Sequence, residues 1–173
     1  MRWFVLWLAL GWAQVWEVRA LLEGRGEGEI VLHFLSSSGE KVVNTRLREG
    51  RAQIRLEKGF SFREVILRAE GYLPVRLLSN HTEGGLLDFT RPANLHPKSG
   101  YLIHQGKAIL AAGELGSLPE ETQPTINAYD IELFLQAHKR QDLRADFTGD
   151  GKVDEQDLKL LLKNQALLLR TEL

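Results

Sequence analysis

The chain has 173 residues, a formal net charge of −1 at pH 7 and no cysteine. This length allows one domain or two small ones, and a hydrophobic content of 43% is typical of a folded rather than a disordered chain. The lack of cysteine excludes disulfides, thiol nucleophiles and sulfur-ligated metals. Because the sequence contains no basic block, no nucleic-acid partner is expected.

The N-terminal segment, MRWFVLWLALGWAQ, has the pattern of an export signal. Arg2 precedes an uncharged apolar run, and Gly11 and Ala13 suit the two cleavage-site positions, which predicts a signal peptide over residues 1–13. The run is shorter than the ~20 apolar residues that span a bilayer, so it would tether the protein to a membrane only if uncut. A buried first strand is the alternative. We therefore expect a secreted or cell-surface protein.

Residues 14–108 are predicted to form an all-β antiparallel sandwich of the immunoglobulin-like or prealbumin-like kind. Ala52, Ile54 and Leu56, for example, alternate with polar residues, which is the period expected of a strand with one solvated face. Glycine-containing turns separate such segments at short spacings, as in sandwiches. The predicted strands are 15–22, 29–35, 41–47, 52–57, 63–69, 73–79 and 85–89, followed by a proline-containing connector at 91–100 and a strand over 101–110.

Residues 109–173 are predicted to form a second, small all-α module of the EF-hand type that binds calcium. Two segments, INAYDIELFLQ (126–136) and VDEQDLKLLLK (153–163), align at a constant offset of 27 residues. Each contains apolar residues at the i, i+3, i+4 spacing of an amphipathic helix. The predicted core positions are Ile131, Phe134, Leu135, Leu158, Leu161 and Leu162.

The most specific segment is DFTGDGKVDEQD, residues 146–157, which matches the spacing of a twelve-residue calcium loop. Gly151 stands at the sixth position, where the chain must turn sharply, and Val153 is the apolar residue expected beneath the loop. Asp157 replaces the usual Glu at position 12 and is one methylene shorter. A solvated acidic turn is the alternative. The predicted Ca²⁺ ligands are Asp146, Thr148, Asp150, the carbonyl of Lys152, Asp154 and Asp157.

The first repeat lacks a matching ligand set, and two alignments are open. At the same offset, Pro119, Glu121, Gln123 and Pro124 occupy positions 1, 3, 5 and 6 of the loop, and proline cannot make the turn required at position 6. Alternatively, the loop starts at "AGEL" (112–115) and carries about five extra residues before Asn127. Either way we expect one calcium site and a first loop held by packing.

No helix is expected to run directly into the calcium loop. The residues ahead of Asp146, HKRQDLRA, contain one strong hydrophobe, Leu143. A calmodulin-like helix–loop–helix unit needs an amphipathic helix in this place.

A calcium loop followed by a helix, repeated in tandem without an entering helix, resembles the type I dockerin domain. The resemblance covers residues 112–168 and is carried by AGEL, INAYDIELFLQ and RADFTGDGKVDEQDLKLLLKN. It implies two antiparallel helices, a metal loop before each, and a protein partner of the cohesin type. The contact positions that it implies are Ala128, Tyr129 and Gln136 in the first unit and Glu155, Gln156 and Lys163 in the second. Leu135 and Leu162 fall at further contact positions, but we assign both to the core.

The segment REVILRAEGYLPVRLLS, residues 63–79, is similar to the late strands of transthyretin-like or carboxypeptidase-regulatory-like sandwiches. In those domains an alanine–any–glycine–tyrosine turn, here residues 69–72, links two strands. Such sandwiches often precede a dockerin in exported bacterial proteins.

The functional expectation is a secreted, non-enzymatic adaptor that docks onto a cohesin-type or other extracellular protein, in an assembly associated with polysaccharide. The alternative is a carbohydrate- or surface-binding sandwich in which the calcium module is only a structural clamp. A small hydrolase is the weakest hypothesis, because the five histidines are scattered without a metal-ligand spacing and no nucleophile motif is present.

Overall fold

The computed structural model describes residues 13–79, 85–97, 99–116 and 125–171, with side chains described up to residue 166. Short 3-10 turns lie at Pro92–Asn94 and Leu143–Ala145. The strands are β1 Ala13–Arg19, β2 Gly28–Ser36, β3 Gly39–Leu47, β4 Arg51–Glu57, β5 Glu64–Arg68, β6 Gly71–Tyr72, β7 Val75–Leu78, β8 Leu86–Asp88, β9 Tyr101–His104, β10 Lys107–Leu110 and β11 Ala112–Glu114; the helices are α1 Ala128–Arg140 and α2 Glu155–Thr171.

Two sheets and two short strand pairs make up the β-structure. The four-stranded sheet has the order β3-β2-β5-β7, and all its neighbours are antiparallel. The three-stranded sheet has the order β4-β1-β8, with β1 antiparallel to β4 and parallel to β8. The predicted all-antiparallel pairing is therefore wrong at β8. The long connection between β1 and β8 permits this, because parallel neighbours need a crossover.

The strand prediction for 101–110 is corrected to a hairpin. Strands β9 and β10 pair antiparallel, with His104 opposite Lys107. Gln105 and Gly106 between them have φ angles of 50° and 75°. Two consecutive residues with positive φ match a type I′ turn, which joins adjacent strands tightly.

Alternating burial confirms the period-two patterns of the central strands. On β4, Ala52, Ile54 and Leu56 are buried while the residues between them are exposed. On β2, Ile30 and Phe34 are likewise buried on one face. These apolar faces are what each sheet contributes to the interior.

The prediction of a sandwich followed by a separate all-α EF-hand module is wrong. The chain is a single β-rich domain whose only helices of regular α type, within the described residues, are two at its C-terminal end. Phe34 of β2 belongs to the same core as Phe134 of α1 and Leu161 of α2. The predicted module boundary, between residues 108 and 109, falls inside β10, and β11 pairs with β6. The apolar residues of both helices therefore pack into the same core as the strands.

Glu23, in the β1–β2 connection, joins the two ends of the fold. One of its carboxylate oxygens accepts a hydrogen bond from Lys163 of α2 at 3.1 Å. The other accepts from the Asn164 side chain and, at 3.4 Å, from the backbone N–H of Ala112. Asn164 also donates to the carbonyl of Ala112 at 2.9 Å. This network fixes α2 against β11 and the first strands.

Several sequence expectations concern residues outside the described ranges. They are residues 1–12 of the predicted signal peptide, and Pro119, Glu121, Gln123 and Pro124 of one alignment of the first loop. Ala13, the last residue of the predicted signal peptide, is the first residue of β1. Among the described residues, no helix has the length and apolar character needed to cross a membrane.

Gly24→Ala tests whether the β-structure and the helices unfold as one unit. A Cβ at Gly24, whose φ is +82°, would lie 2.4 Å from the carbonyl oxygen of Phe147. We expect a loss of about 3 kcal/mol in the free energy of unfolding, from backbone strain and the clash together. Helical and β signals in circular dichroism should both melt at the same lowered temperature.

Gly59→Ala is the matched control, because Gly59 has the same φ of +82° and a Cβ there would meet nothing within 4 Å. It should lose only the backbone share, about 1–2 kcal/mol. A helical transition that stays unchanged in Gly24→Ala while the β transition shifts would contradict a single domain.

Candidate calcium site

The predicted calcium loop, residues 146–157, runs from the 3-10 turn at Leu143–Ala145 into the first residues of α2. Helix α1 ends at Arg140, and the next residue, Gln141, is in the left-handed region. The expectation that no helix runs directly into the loop is therefore confirmed. Gly149 and Gly151 have φ angles of 75° and 85°, so the backbone turns sharply at both.

Gly151 is required for its backbone conformation and not for space. A Cβ at this position would meet nothing within 4 Å. Val153 is 1% exposed and lies beneath the loop as predicted. Its backbone N–H and carbonyl bond the side-chain amide of Gln141 at 3.2 and 3.1 Å, which ties the loop to the end of α1.

Asp146, the first position, organises the head of the loop. Its side chain is buried, and one oxygen accepts hydrogen bonds from the N–H of Gly149 at 2.7 Å and of Asp150 at 3.2 Å. The other oxygen accepts from the N–H of Gly151 at 2.9 Å. The Thr148 hydroxyl donates to Asp146 at 3.4 Å. The backbone is thus wrapped around this carboxylate.

Asp157, the twelfth position, closes the loop from the other side. It is 0% exposed. One carboxylate oxygen accepts from the N–H of Thr148 and the other from the N–H of Asp154, each at 2.9 Å. Thr148, at position 3, therefore contacts both Asp146 at position 1 and Asp157 at position 12.

The remaining predicted ligands lie nearer the surface. Asp150 is exposed and accepts from the N–H of Lys152 at 2.9 Å, and Asp154 is half-buried and accepts from the N–H of Gln156 at 2.8 Å. Both side chains thus fold back onto the backbone two residues ahead. Within the described residues, no group of three or more His, Cys, Asp or Glu side chains converges at metal-binding distance.

The chemistry of the loop nonetheless fits a hard divalent cation. Ca²⁺ takes six to eight oxygen ligands, and every predicted ligand here is a carboxylate, hydroxyl or carbonyl oxygen. Asp146 and Asp157 are buried beside the same residue, and among the described residues neither forms an ion pair. Two buried like charges repel each other and lose hydration, which a bound cation would offset. Inward rotation of Asp150 and Asp154 would complete the site.

Both helices begin with the same hydrogen-bonding device. Asn127 caps α1 by accepting from the N–H of Tyr129 at 2.7 Å, and Asp130 accepts from the N–H of Asn127 at 2.9 Å. In α2, Asp154 and Asp157 make the equivalent bonds. Such a reciprocal capping box satisfies N–H groups that the first helical turn leaves without partners.

A further pair of equivalent hydrogen bonds, to residues that precede each helix, identifies the start of the first unit. Asp130 accepts from the N–H of Leu115 at 2.7 Å, as Asp157 does from Thr148. These pairs are 15 and 9 residues apart in sequence, so the first unit carries six extra residues. This favours a start within AGEL over the constant offset of 27, one residue later than Ala112 and with six extra residues instead of about five. Position 1 then falls on Gly113, which has no side chain to offer a ligand.

The loop also packs against the β-structure, which the sequence did not predict. The Tyr72 hydroxyl accepts from Arg25 Nε at 2.9 Å and donates to the carbonyl of Glu23 at 2.8 Å, and the carbonyl of Phe147 lies 3.3 Å away as a second acceptor. Burial raises the pKa of the Tyr72 phenol. A Cβ at Gly71 would lie 2.9 Å from the Phe147 ring. The loop therefore packs against Gly71 and Tyr72 of the alanine–any–glycine–tyrosine turn.

The apolar stripes of the two helices are narrower than predicted. Leu135 and Leu162, which we assigned to the core, are 49% and 42% exposed, so that assignment is wrong. Among the described residues, Phe134 and Leu161 are the fully buried apolar side chains of their helices, because each helix buries only one narrow stripe. The other two predicted core residues, Ile131 and Leu158, are partly buried against the core.

The predicted docking positions are distributed over both helices. Tyr129 is half-buried, and Lys163 pairs with Glu23 of the same chain at 3.1 Å. The remaining positions are exposed; they are Ala128, Gln136, Glu155 and Gln156.

Comparison with known proteins gives no family for this chain. No protein-family model, curated protein or solved structure matches it. The chemistry of the loop and the exposed surface therefore carry the functional argument.

Asp157→Asn tests the closing hydrogen bonds without calcium. A side-chain amide accepts through its oxygen only, so the partly buried N–H of Thr148 or of Asp154 would face the NH2 group, another donor. We expect the lost hydrogen bond to outweigh the relief of charge repulsion with Asp146, so the free energy of unfolding should fall by about 1–2 kcal/mol in EDTA, measured by chemical denaturation.

Asp154→Asn is the matched control, since Asn is an equally good helix cap and occupies the equivalent position, Asn127, in α1. Its stability in EDTA should stay within about 0.5 kcal/mol of the original protein. Equal losses in the two variants would contradict the role assigned to Asp157.

Proposed function

We propose that the protein is a secreted, non-enzymatic docking protein that binds one Ca²⁺ in loop 146–157. In this proposal the two helices bind an extracellular protein partner, of the cohesin type that the resemblance to type I dockerins implies, in an assembly associated with polysaccharide. The helices act as part of the β-rich domain and not as a module of their own.

The observation that carries the calcium proposal is the pair of buried carboxylates, Asp146 and Asp157, that meet at Thr148. Bound Ca²⁺ would supply the positive charge that these groups lack among their described neighbours. Asp157 also accepts from the N–H of Asp154, the cap of α2. A cation that fixes Asp157 would therefore also stabilise the first turn of α2.

The exposed leucines support the docking proposal. Leu135 and Leu162 occupy equivalent positions in the two repeats, 27 residues apart, and both are largely exposed. Single exposed apolar residues are common, but the same residue type exposed at the same position of both repeats favours a shared role. Large apolar side chains ringed by polar ones are typical anchors of protein interfaces.

A second candidate function is surface or carbohydrate binding by the β-structure, with calcium as a structural clamp. The contact of Tyr72 and Gly71 with Phe147 favours it, because a metal in the loop would also stiffen the strands. Under this alternative, substitutions on the helices leave binding unchanged. The full chain is needed to test it, because β6 pairs with β11 and residues 14–108 alone lack that partner.

Calcium titration of the full chain should show one site. At a free Ca²⁺ concentration one hundred times the dissociation constant, the free energy of unfolding should rise by ~2.7 kcal/mol over that in EDTA. Asp150→Asn removes a charged ligand and should weaken binding at least about tenfold, as measured by calorimetry.

Glu155→Gln is the control for this titration. It makes the same change of charge inside the loop, at position 10, where the side chain is exposed and pairs with Lys159 at 3.2 Å. Its affinity for Ca²⁺ should stay within about twofold of the original. Identical melting curves in EDTA and in millimolar Ca²⁺ would refute the calcium proposal.

Leu135→Glu and Leu162→Glu test the docking surface. Affinity capture from secreted proteins, with and without chelator, should recover a partner only in the calcium arm. Each substitution places a charge in the proposed contact and should weaken capture at least about tenfold. Both leucines are exposed, so the fold should remain intact.

Ile103→Glu provides the control, since Ile103 is 64% exposed on β9, away from the helices in sequence. It should leave capture unchanged. Equal recovery of the partner in the calcium and chelator arms, or full capture by both leucine variants, would count against docking through the helices.

A further inference from the structure

A depression of about 400 Å³ lies where β1, β4 and β8 meet the β9–β10 hairpin, away from the calcium loop. We call it the arginine pocket. Its volume is within the range of small-ligand sites. Its charged lining residues are Arg19, Arg51, Arg91, Lys107, Asp88 and Glu49.

The sheet register places three of these residues in one row. Arg19 of β1 is opposite Arg51 of β4 on one side and opposite Asp88 of β8 on the other. Cross-strand partners point to the same face of a sheet, so these side chains line the same wall. The next wall comes from β10, which is joined by a hydrogen bond from the N–H of Ala108 to the carbonyl of Thr90 at 2.8 Å.

Asp88 forms a fixed and satisfied part of the pocket. It is 4% exposed, and one oxygen accepts from the N–H of Thr90 at 3.0 Å and from its hydroxyl at 2.6 Å. The other oxygen pairs with Arg91 at 3.2 Å. Arg19 is paired with Glu17 at 2.7 Å. Two of the four cations are therefore matched by acids of the same domain.

Arg51 and Lys107 remain without such a match. Within the described residues, neither forms an ion pair, and neither does Glu49, the second acid of the lining. Both are exposed and line the pocket, Arg51 from the start of β4 and Lys107 from the start of β10. Like charges facing one concave space raise the local concentration of anions.

We propose that the arginine pocket binds a tetrahedral oxyanion, a phosphate or sulfate group, held between Arg51 and Lys107. A guanidinium presents a planar fork of donors to such oxygens, and the ammonium on β10 supplies a point charge. With Glu49, which also lines the pocket, these unpaired groups carry a net charge of +1, which a singly charged phosphate or sulfate ester would balance. The volume exceeds that of one ion, so the pocket also admits a substituent such as a sugar ring on a phosphate or sulfate ester.

Binding is tested on the full chain in calcium-free buffer with EDTA, so the result does not depend on the calcium loop. Inorganic phosphate, inorganic sulfate and acetate are titrated separately at constant ionic strength, and amide chemical shifts are followed by NMR. Phosphate or sulfate should give saturable shifts at Arg51, Lys107 and their neighbours. Acetate should bind at least about fivefold more weakly. Glucose 6-phosphate and glucose 6-sulfate then distinguish the two kinds of ester.

Arg51→Gln and Lys107→Gln should each weaken binding roughly tenfold, with an unchanged melting temperature. Arg55→Gln is the matched control, because Arg55 lies on the same exposed face of β4, four residues further along, and undergoes the same change of charge. It should alter affinity by less than about twofold. Non-saturable shifts, equal weakening in Arg51→Gln and Arg55→Gln, or equal binding of acetate would each overturn the proposal.

Discussion

Asp157 is buried, and its two carboxylate oxygens accept hydrogen bonds from the N–H of Thr148 and of Asp154. One side chain therefore sets both the closure of loop 146–157 and the first turn of α2. Asp130 does the same for α1 through Leu115 and Asn127. Because a buried carboxylate is costly unless its oxygens are hydrogen-bonded, these bonds make each helix start at one defined residue.

The β-structure and loop 146–157 constrain each other through Tyr72. Its hydroxyl contacts Arg25 and Glu23 of the β1–β2 connection and reaches the carbonyl of Phe147 in the loop. The neighbouring Gly71 leaves room for the Phe147 ring. The helices are consequently held in place by contacts with the β-structure as well as by their N-caps. The arginine pocket lies on a different sheet and depends on none of these contacts.

Local patterns in the sequence predicted local structure well. Alternation at Ala52, Ile54 and Leu56 identified β4, and Gly151 and Val153 identified the turn and the base of the loop. Contacts between distant segments left no periodic signal. The spacing of apolar residues does not indicate that β11 pairs with β6 or that Tyr72 contacts Phe147. The two-module prediction failed for that reason. Periodicity likewise predicted that Leu135 and Leu162 belong to the core. Which residues of a helix face inward depends on how the helix packs on the rest of the domain, and both leucines are exposed.

The contacts of Glu23 have a consequence for biosynthesis. Its hydrogen-bond partners on α2, Lys163 and Asn164, lie 140 and 141 residues further along the chain. Because contacts distant in sequence slow folding, the native domain cannot assemble until the ribosome has released α2. Under the proposed export, this delay keeps the chain unfolded while it passes through a translocation channel, before the domain folds.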